Sequence, residues 1–351
     1  MVIVWHHCGD FSSEQVSGQT IVGSRILRYL VECGFDVRVV VYNAIDVVGT
    51  EGFLLSLGIA NVCFQYKNMV ARFIGTLFAR SCPVSEELNV FGTVGAIDFV
   101  RVVPANSTLL AGDLESRKFW QRPRLDSILT FGVNSLRERK FRFFQNVTFY
   151  SSYDHDAYRG GNSCVVPIGY DVLLASEVVS LEHASDLVFT GNFNYKPNFL
   201  AANWLLNFIS DKKYSISLVG YNASLLSANS VGTSVLIASD VSDVHEYIRS
   251  GKIFVCPLFL GTGMKNKLLA AMECGVPIVC TPLSVEGFDR VVRSGVYLAD
   301  SEVTFLSAIE SVLADYDGAL LRAAALRKHV REHYGWNAVL GQFVAELVTA
   351  S

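Results

Sequence analysis

The segment from Phe254 to Phe288 carries the most chemistry in the chain. An apolar run ending at Pro257 predicts a buried strand. The loop Gly261-Thr262-Gly263 then opens a helix that stops at Gly275, and a second apolar run, Val276–Cys280, follows. A glycine-rich turn leading into a helix leaves backbone N–H groups free, and the helix dipole adds partial positive charge there. Such a mouth suits a phosphate. Lys265 and Lys267 lie in the first turn, where cations oppose the dipole. A bound diphosphate would account for them.

The other reactive residue types say less. His6 and His7 follow the first strand signal, and they fit either a general base facing a cleft or a satisfied strand-end pair. His245, His329 and His333 fall in polar helical stretches and read as exposed. No His, Cys and Asp grouping has metal-ligand spacing, so no metal site is expected. The cysteines include no Cys-x-x-Cys pair, and several sit in apolar runs, as in Ile253-Phe-Val-Cys256. They read as small buried hydrophobes in a reducing compartment, hence a cytoplasmic chain. From Arg117 to Arg142, Arg117, Lys118, Arg122, Arg124, Arg137, Arg139, Lys140 and Arg142 face only Asp126 and Glu138. Phe119, Trp120, Phe131, Phe141, Phe143 and Phe144 are interleaved. This stretch, 117–142, fits a peripheral contact with anionic lipid headgroups at a membrane. It also fits a solvated helical face with its aromatics turned to the core, since basic faces are common.

These groups need elements to position them. The 351 residues are enough for two domains. An apolar share of 51% and a charged share of 18% exclude wholesale disorder, and a net charge of −4 gives no support for nucleic acid as a partner. No apolar run reaches about 18 residues, so no membrane-spanning helix is expected. Met1–Trp5 is short and lacks a basic leader, so it reads as a first strand, not a signal peptide. Helical spacing over Gly18–Cys33 and a strand run over Asp36–Tyr42 complete a βαβ unit, which implies a parallel sheet. The pattern restarts with strands at Leu187–Thr190, Ser215–Val219 and Ile253–Cys256, and helices at Asn198–Ile209 and Lys265–Cys274. The expected fold class is α/β, two Rossmann-like doubly wound domains joined near Gly169–Ser185. No Gly-x-Gly-x-x-Gly follows the first strand, so a dinucleotide cofactor has little support.

The Phe254–Phe288 block resembles the donor-binding region of GT-B glycosyltransferases of family four. Weaker likenesses lie in the expected order. Val166-Pro-Ile-Gly-Tyr-Asp171 resembles the segment before the family's second domain, and Val188–Asn198, with Ala201 and Trp204, resembles its opening. Gly112–Trp120 resembles an acidic segment of one subgroup, and Tyr334-Gly-Trp336 resembles a closing element. The resemblance implies two domains facing a cleft. The first, 1–168, would meet the acceptor; the second, 169–334, would bind the nucleotide-sugar; and 335–351 would form a helix packing back on the first. It implies metal-independent glycosyl transfer with retention, to a saccharide or lipid-linked acceptor, and no cofactor beyond the nucleotide-diphosphate sugar. Gly261, Thr262, Gly263, Lys265 and Lys267 would hold the diphosphate. Glu286, Gly287 and Phe288 would lie near the sugar. Gly18 would approach the phosphates from the first domain, and Asp113 would sit as an acidic group at the cleft. Lys267, Glu286 and Asp113 are the candidate catalytic residues.

The chain departs from that pattern at Ala270, where many relatives carry a glutamate for the ribose hydroxyls. Glu273, nearly on the same helix face, either replaces that carboxylate or is an exposed charge. Asn192 and Pro197 stand where many relatives carry Arg and Lys. These losses motivate an alternative: a catalytically degenerate GT-B protein acting as a binding or scaffold subunit.

Overall fold

A computed structural model describes residues 1–8, 10–11, 18–66, 80–82, 87–100, 102–114, 116, 128–158, 160–171, 185–210, 213–226, 234–261 and 263–349. The chain forms two α/β units, Met1–Gly169 with Trp336–Ser351, and Tyr170–Gly335.

The first unit contains β1 (Val2–Cys8), β2 (Asp36–Tyr42), β3 (Asn61–Gln65), β4 (Arg80–Cys82), β5 (Leu88–Phe91), β6 (Val102–Pro104), β7 (Ser107–Gly112), β8 (Asn146–Phe149) and β9 (Ser163–Val165). Its main sheet is parallel, in the order β3-β2-β1-β5-β7-β8-β9, and β4 pairs with β6 apart from it. Its helices are α1 (Gly18–Glu32), α2 (Val47–Ser56), α3 (Ile128–Glu138) and α4 (Ser152–Ala157). β1 runs three residues further than its apolar start predicts. It stays paired with β2 as far as Cys8↔Tyr42, and with β5 as far as His6↔Phe91. His6 and His7 therefore lie inside a strand and are buried.

The stretch around α3 also differs from a uniform basic surface. Lys140 is buried, and its ammonium donates to the carbonyls of Ile97 at 2.5 Å and Val100 at 3.4 Å. Burial lowers its pKa to about 8. Arg137 pairs with the buried Asp98 at 2.6 Å. Phe141 and Phe144 enter the core beside Phe91 and Phe149, while Arg139 and Arg142 stay exposed. The cations from Arg117 to Arg124 lie outside the described residues.

The second unit contains β10 (Ser185–Thr190), β11 (Ile216–Gly220), β12 (Val235–Ser239), β13 (Gly251–Cys256), β14 (Ile278–Cys280) and β15 (Tyr297–Leu298). They form one parallel sheet in the order β12-β11-β10-β13-β14-β15. Its helices are α5 (Lys196–Ile209), α6 (Val244–Arg249), α7 (Asn266–Cys274), α8 (Arg290–Gly295), α9 (Glu302–Ala314) and α10 (Tyr316–Tyr334). β11 and β14 are buried along their whole length, as parallel strands covered on both faces must be. The last helix, α11 (Trp336–Thr349), belongs to the first unit. There its Gln342 amide donates to the Val165 carbonyl at 2.9 Å, and the Trp336 ring lies against Gly169.

Cys256, Cys274 and Cys280 are buried free thiols, but Cys33 and Cys63 are exposed, contrary to a uniformly buried set. No described helix is long and apolar enough to cross a membrane.

Candidate functional site

In the second unit the sheet grows in two directions from β10, through β11 to β12 and through β13 to β15. In open parallel sheets a crevice forms beyond the carboxyl ends of the strands where this reversal occurs. Here that is the junction of β10 and β13. The turns after β10 and β11 meet there as bare main chain. Gly220 has φ +140°, and a Cβ on it would lie 2.1 Å from the Gly191 carbonyl oxygen. No side chain fits at that contact.

Lys267, in the first turn of α7, reaches this junction. Its ammonium donates to Asn198 Oδ1 at 2.6 Å and lies 4.4 Å from the centre of the Phe189 ring. Asn198 is buried, and its amide nitrogen donates to the Asn192 carbonyl at 2.8 Å. Burial lowers the Lys267 pKa to about 8. The Cys256 thiol opposes the shift and Lys265 adds to it. An ammonium has three N–H donors. Among the described residues Asn198 is its one hydrogen-bond partner. Lys265 behaves differently: it takes the cap position of α7 and folds its ammonium back onto the Gly263 carbonyl. Gly261 and Gly263 take φ +114° and +73°, and Gly261 lies beside Tyr195 and Pro197 at the start of α5. Thr262 lies outside the described residues.

The segment after β14 is tied to the same strand ends. The Thr281 hydroxyl donates to the Leu258 carbonyl at 2.5 Å, and the Ser284 hydroxyl to the Cys256 carbonyl at 2.7 Å. A 3-10 turn over Pro282–Val285 then delivers Glu286, Gly287 and the buried Phe288. The next residue, Asp289, caps α8 and accepts from His329 at 2.7 Å. His329 and His245 are thus structural partners and not exposed groups. His245 donates from Nδ1 to Asp243 at 2.6 Å and accepts from the Tyr170 hydroxyl.

Residues 184–315, which hold this junction, match the family model of glycosyl transferases group 1. No curated protein matches the chain. Among solved structures, HepE of Anabaena in complex with UDP is similar over 99% of this chain and 100% of its own, with 14% identity and a TM-score of 0.67. WaaG, a glycosyltransferase involved in lipopolysaccharide biosynthesis, is similar over 99% of both chains, with 12% identity and a TM-score of 0.62. The lipopolysaccharide outer core galactosyltransferase WaaB is similar over 100% of both, with 10% identity and a TM-score of 0.61.

The fold is GT-B. The family model points to a glycosyltransferase over residues 184–315, and the solved structures share the fold.

Within this GT-B fold the expected site residues fall into three groups. Gly261, Gly263, Lys265, Lys267, Glu286, Gly287 and Phe288 gather at the ends of β13 and β14. Gly18 and Asp113 belong to the first unit: Gly18 opens α1, and Asp113 follows β7, half-buried near Tyr150. Glu273 is the correction. It sits in the last turn of α7 and is buried, with its carboxylate bound by Arg331 through three hydrogen bonds of 2.6 to 3.1 Å. Arg327 stands 3.7 Å away. Glu273 is therefore neither an exposed charge nor a carboxylate open to a ribose, because α10 takes it. Ala270 is buried. Sequence reasoning gave no site role to Asn198, Phe189, Gly191 or Gly220. The signal for the glycines was present: each directly follows or ends a short apolar strand, in Thr190-Gly191-Asn192 and Val219-Gly220-Tyr221.

Proposed function

We propose that this chain moves a sugar from a nucleotide-diphosphate donor to a saccharide or lipid-linked acceptor, with retention and without a bound metal. One observation carries the reading: a half-buried ammonium, Lys267, stands at a sheet reversal beside a glycine loop and a helix mouth. A buried cation lowers stability unless something anionic meets it. Backbone N–H groups at the start of α7 supply further positive potential. A diphosphate matches both. The relative HepE was solved with UDP and with UDP-glucose, which supports a uridine nucleotide as the first donor to try.

In this reading Lys267 stabilises negative charge as it develops on the leaving diphosphate, and its fixed position means little reorganisation is needed. The leaving diphosphate takes the acceptor proton. Glu286 and the backbone of Gly287 and Phe288 serve the sugar. Gly18 and Asp113 serve from the first unit, Asp113 as a contact to a hydroxyl. Transfer takes place in the cytoplasm, with Arg139 and Arg142 available to anionic lipid headgroups.

The test is ligand-induced stabilisation with UDP, GDP, ADP and CDP. A nucleotide at 100 times its dissociation constant adds about 2.7 kcal/mol. A response to one of the four is expected. Silence to all of them would sink the donor site and return the chain to a scaffold role. Slow hydrolysis of the matching nucleotide-sugar without acceptor would separate an enzyme from a binder.

A further inference from the structure

We propose that Asn198 is the positioning residue for Lys267, a neutral amide that holds the ammonium at the end of β10 without cancelling its charge. The inference rests on the donor-site reading and deepens it, since it names what makes the cation available to a nucleoside diphosphate.

The geometry around Asn198 leaves little freedom. It lies in the first turn of α5, where its backbone N–H donates to the Tyr195 carbonyl at 2.9 Å. Its side chain is only 7% exposed, and both ends of the amide are used. Oδ1 accepts from Lys267 at 2.6 Å, and Nδ2 donates to the Asn192 carbonyl at 2.8 Å. The orientation follows from chemistry, because an ammonium only donates and a carbonyl only accepts. The main chain makes room for the pair at Gly191. A Cβ there would lie 2.9 Å from Asn198 Nδ2 and 3.0 Å from Lys267 Nζ.

The partner's neutrality is what points to a ligand. Two other cations of the same unit meet carboxylates: Lys252 meets Asp186 at 2.8 Å, and Arg331 meets Glu273 at 2.6 Å. Each of those two cations has a carboxylate beside it. Lys267 is as deeply placed but meets an amide and the face of an aromatic ring, so a full positive charge is left over. A carboxylate at position 198 would fit the same space. It would also compete with an incoming phosphate for the ammonium, and it would raise the pKa of Lys267.

The experiment compares wild type with Asn198→Asp and Asn198→Ala. Binding of UDP, GDP, ADP and CDP is titrated calorimetrically alongside the four parent nucleosides, from pH 7 to 9.5. Ligand-free melting checks that each variant folds. For the diphosphate that wild type binds, Asn198→Asp should weaken affinity about tenfold or more while the nucleoside binds as before. In Asn198→Asp the alkaline fall of diphosphate affinity should also move to higher pH. Asn198→Ala adds no charge and should lose diphosphate affinity without that shift. It serves alone if the aspartate variant does not fold. Unchanged diphosphate affinity in either variant overturns the proposal. So does an equal loss for diphosphate and nucleoside, which would mark Asn198 as a scaffold residue only. If wild type binds none of the diphosphates, the donor-site reading itself has failed, and this inference falls with it.

Discussion

At the β1–β5 junction of the first unit and the β10–β13 junction of the second, parallel strands diverge in the same way. The residues presented there differ in kind. At the first junction His6 stacks on Phe91 at 4.2 Å and His7 on Phe11 at 3.8 Å. His6 donates to Asn89 at 3.1 Å and accepts from the Tyr42 hydroxyl at 3.0 Å. Burial lowers the His6 pKa to about 4 and the His7 pKa to about 3, so both rings are neutral at pH 7. At the second junction the strand ends carry glycines, and the helices that follow bring a neutral amide and an ammonium that keeps its charge at pH 7. Sheet order thus decides where a crevice can form, while the few side chains at the strand ends decide what charge it accepts.

The sharpest way to break this contrast is to ask whether the second unit folds and binds through the same groups. Glu273→Ala leaves Arg331 and Arg327 facing an empty buried site, and should cost about 3 kcal/mol of stability in urea melts. Nucleotide affinity of the folded variant should stay at the wild-type value. A matching loss of affinity would restore Glu273 as a ribose ligand.

Next in size is the acid response of the first junction. Both histidines bind a proton more readily unfolded than folded, since their folded pKa values lie below 6.5. Their stabilising contribution is therefore complete above about pH 6.5, and is lost as the pH falls toward 4 for His6 and 3 for His7. Between pH 7 and 5.5 the pair should cost about 2 kcal/mol in urea melts, and His7→Phe should flatten part of that slope. A stability flat over this range would mean that the rings are not buried neutral.

Lys267→Ala should weaken nucleoside diphosphate binding by about 2 kcal/mol in calorimetric titration, and should not lower the melting temperature of the free protein. Equal loss in both would make Lys267 a structural residue. The pH dependence of binding has the opposite sign to that of the histidines. Diphosphate affinity should fall as pH rises above about 8, where the free ammonium loses its proton, by at most about 1.4 kcal/mol per pH unit. The smallest effect is expected outside both junctions. Arg142 is exposed and stacks over Phe143, so Arg142→Ala should change stability by less than about 0.5 kcal/mol. Salt-sensitive loss of binding to anionic vesicles in that variant would support the headgroup contact.

The parallel sheets were legible because buried strands such as Phe254–Cys256 and Leu187–Phe189 are apolar without interruption, and glycine follows soon after them. The helix mouth after β13 was legible for the same local reason. Pairing information was not. That Lys267 crosses to Asn198, 69 residues away, depends on β13 lying beside β10, which no local pattern states. Glu273 shows the converse: helical spacing put it near the face of Ala270, but Arg331, 58 residues on, fills its carboxylate. The basic stretch shows why charge counts mislead. Lys140 and Arg137 read as surface groups, yet one is satisfied by carbonyls in the core and the other by a buried aspartate.

The return of α11 to the first unit has a consequence for synthesis. The second unit, Tyr170–Gly335, is contiguous and can condense once it has cleared the ribosome. The first unit cannot close its surface until residues 336–349 emerge, so its flank beside α1 stays uncovered while the whole of its neighbour is being translated. Chaperone engagement during translation should accordingly concentrate on the half that is made first and completed last.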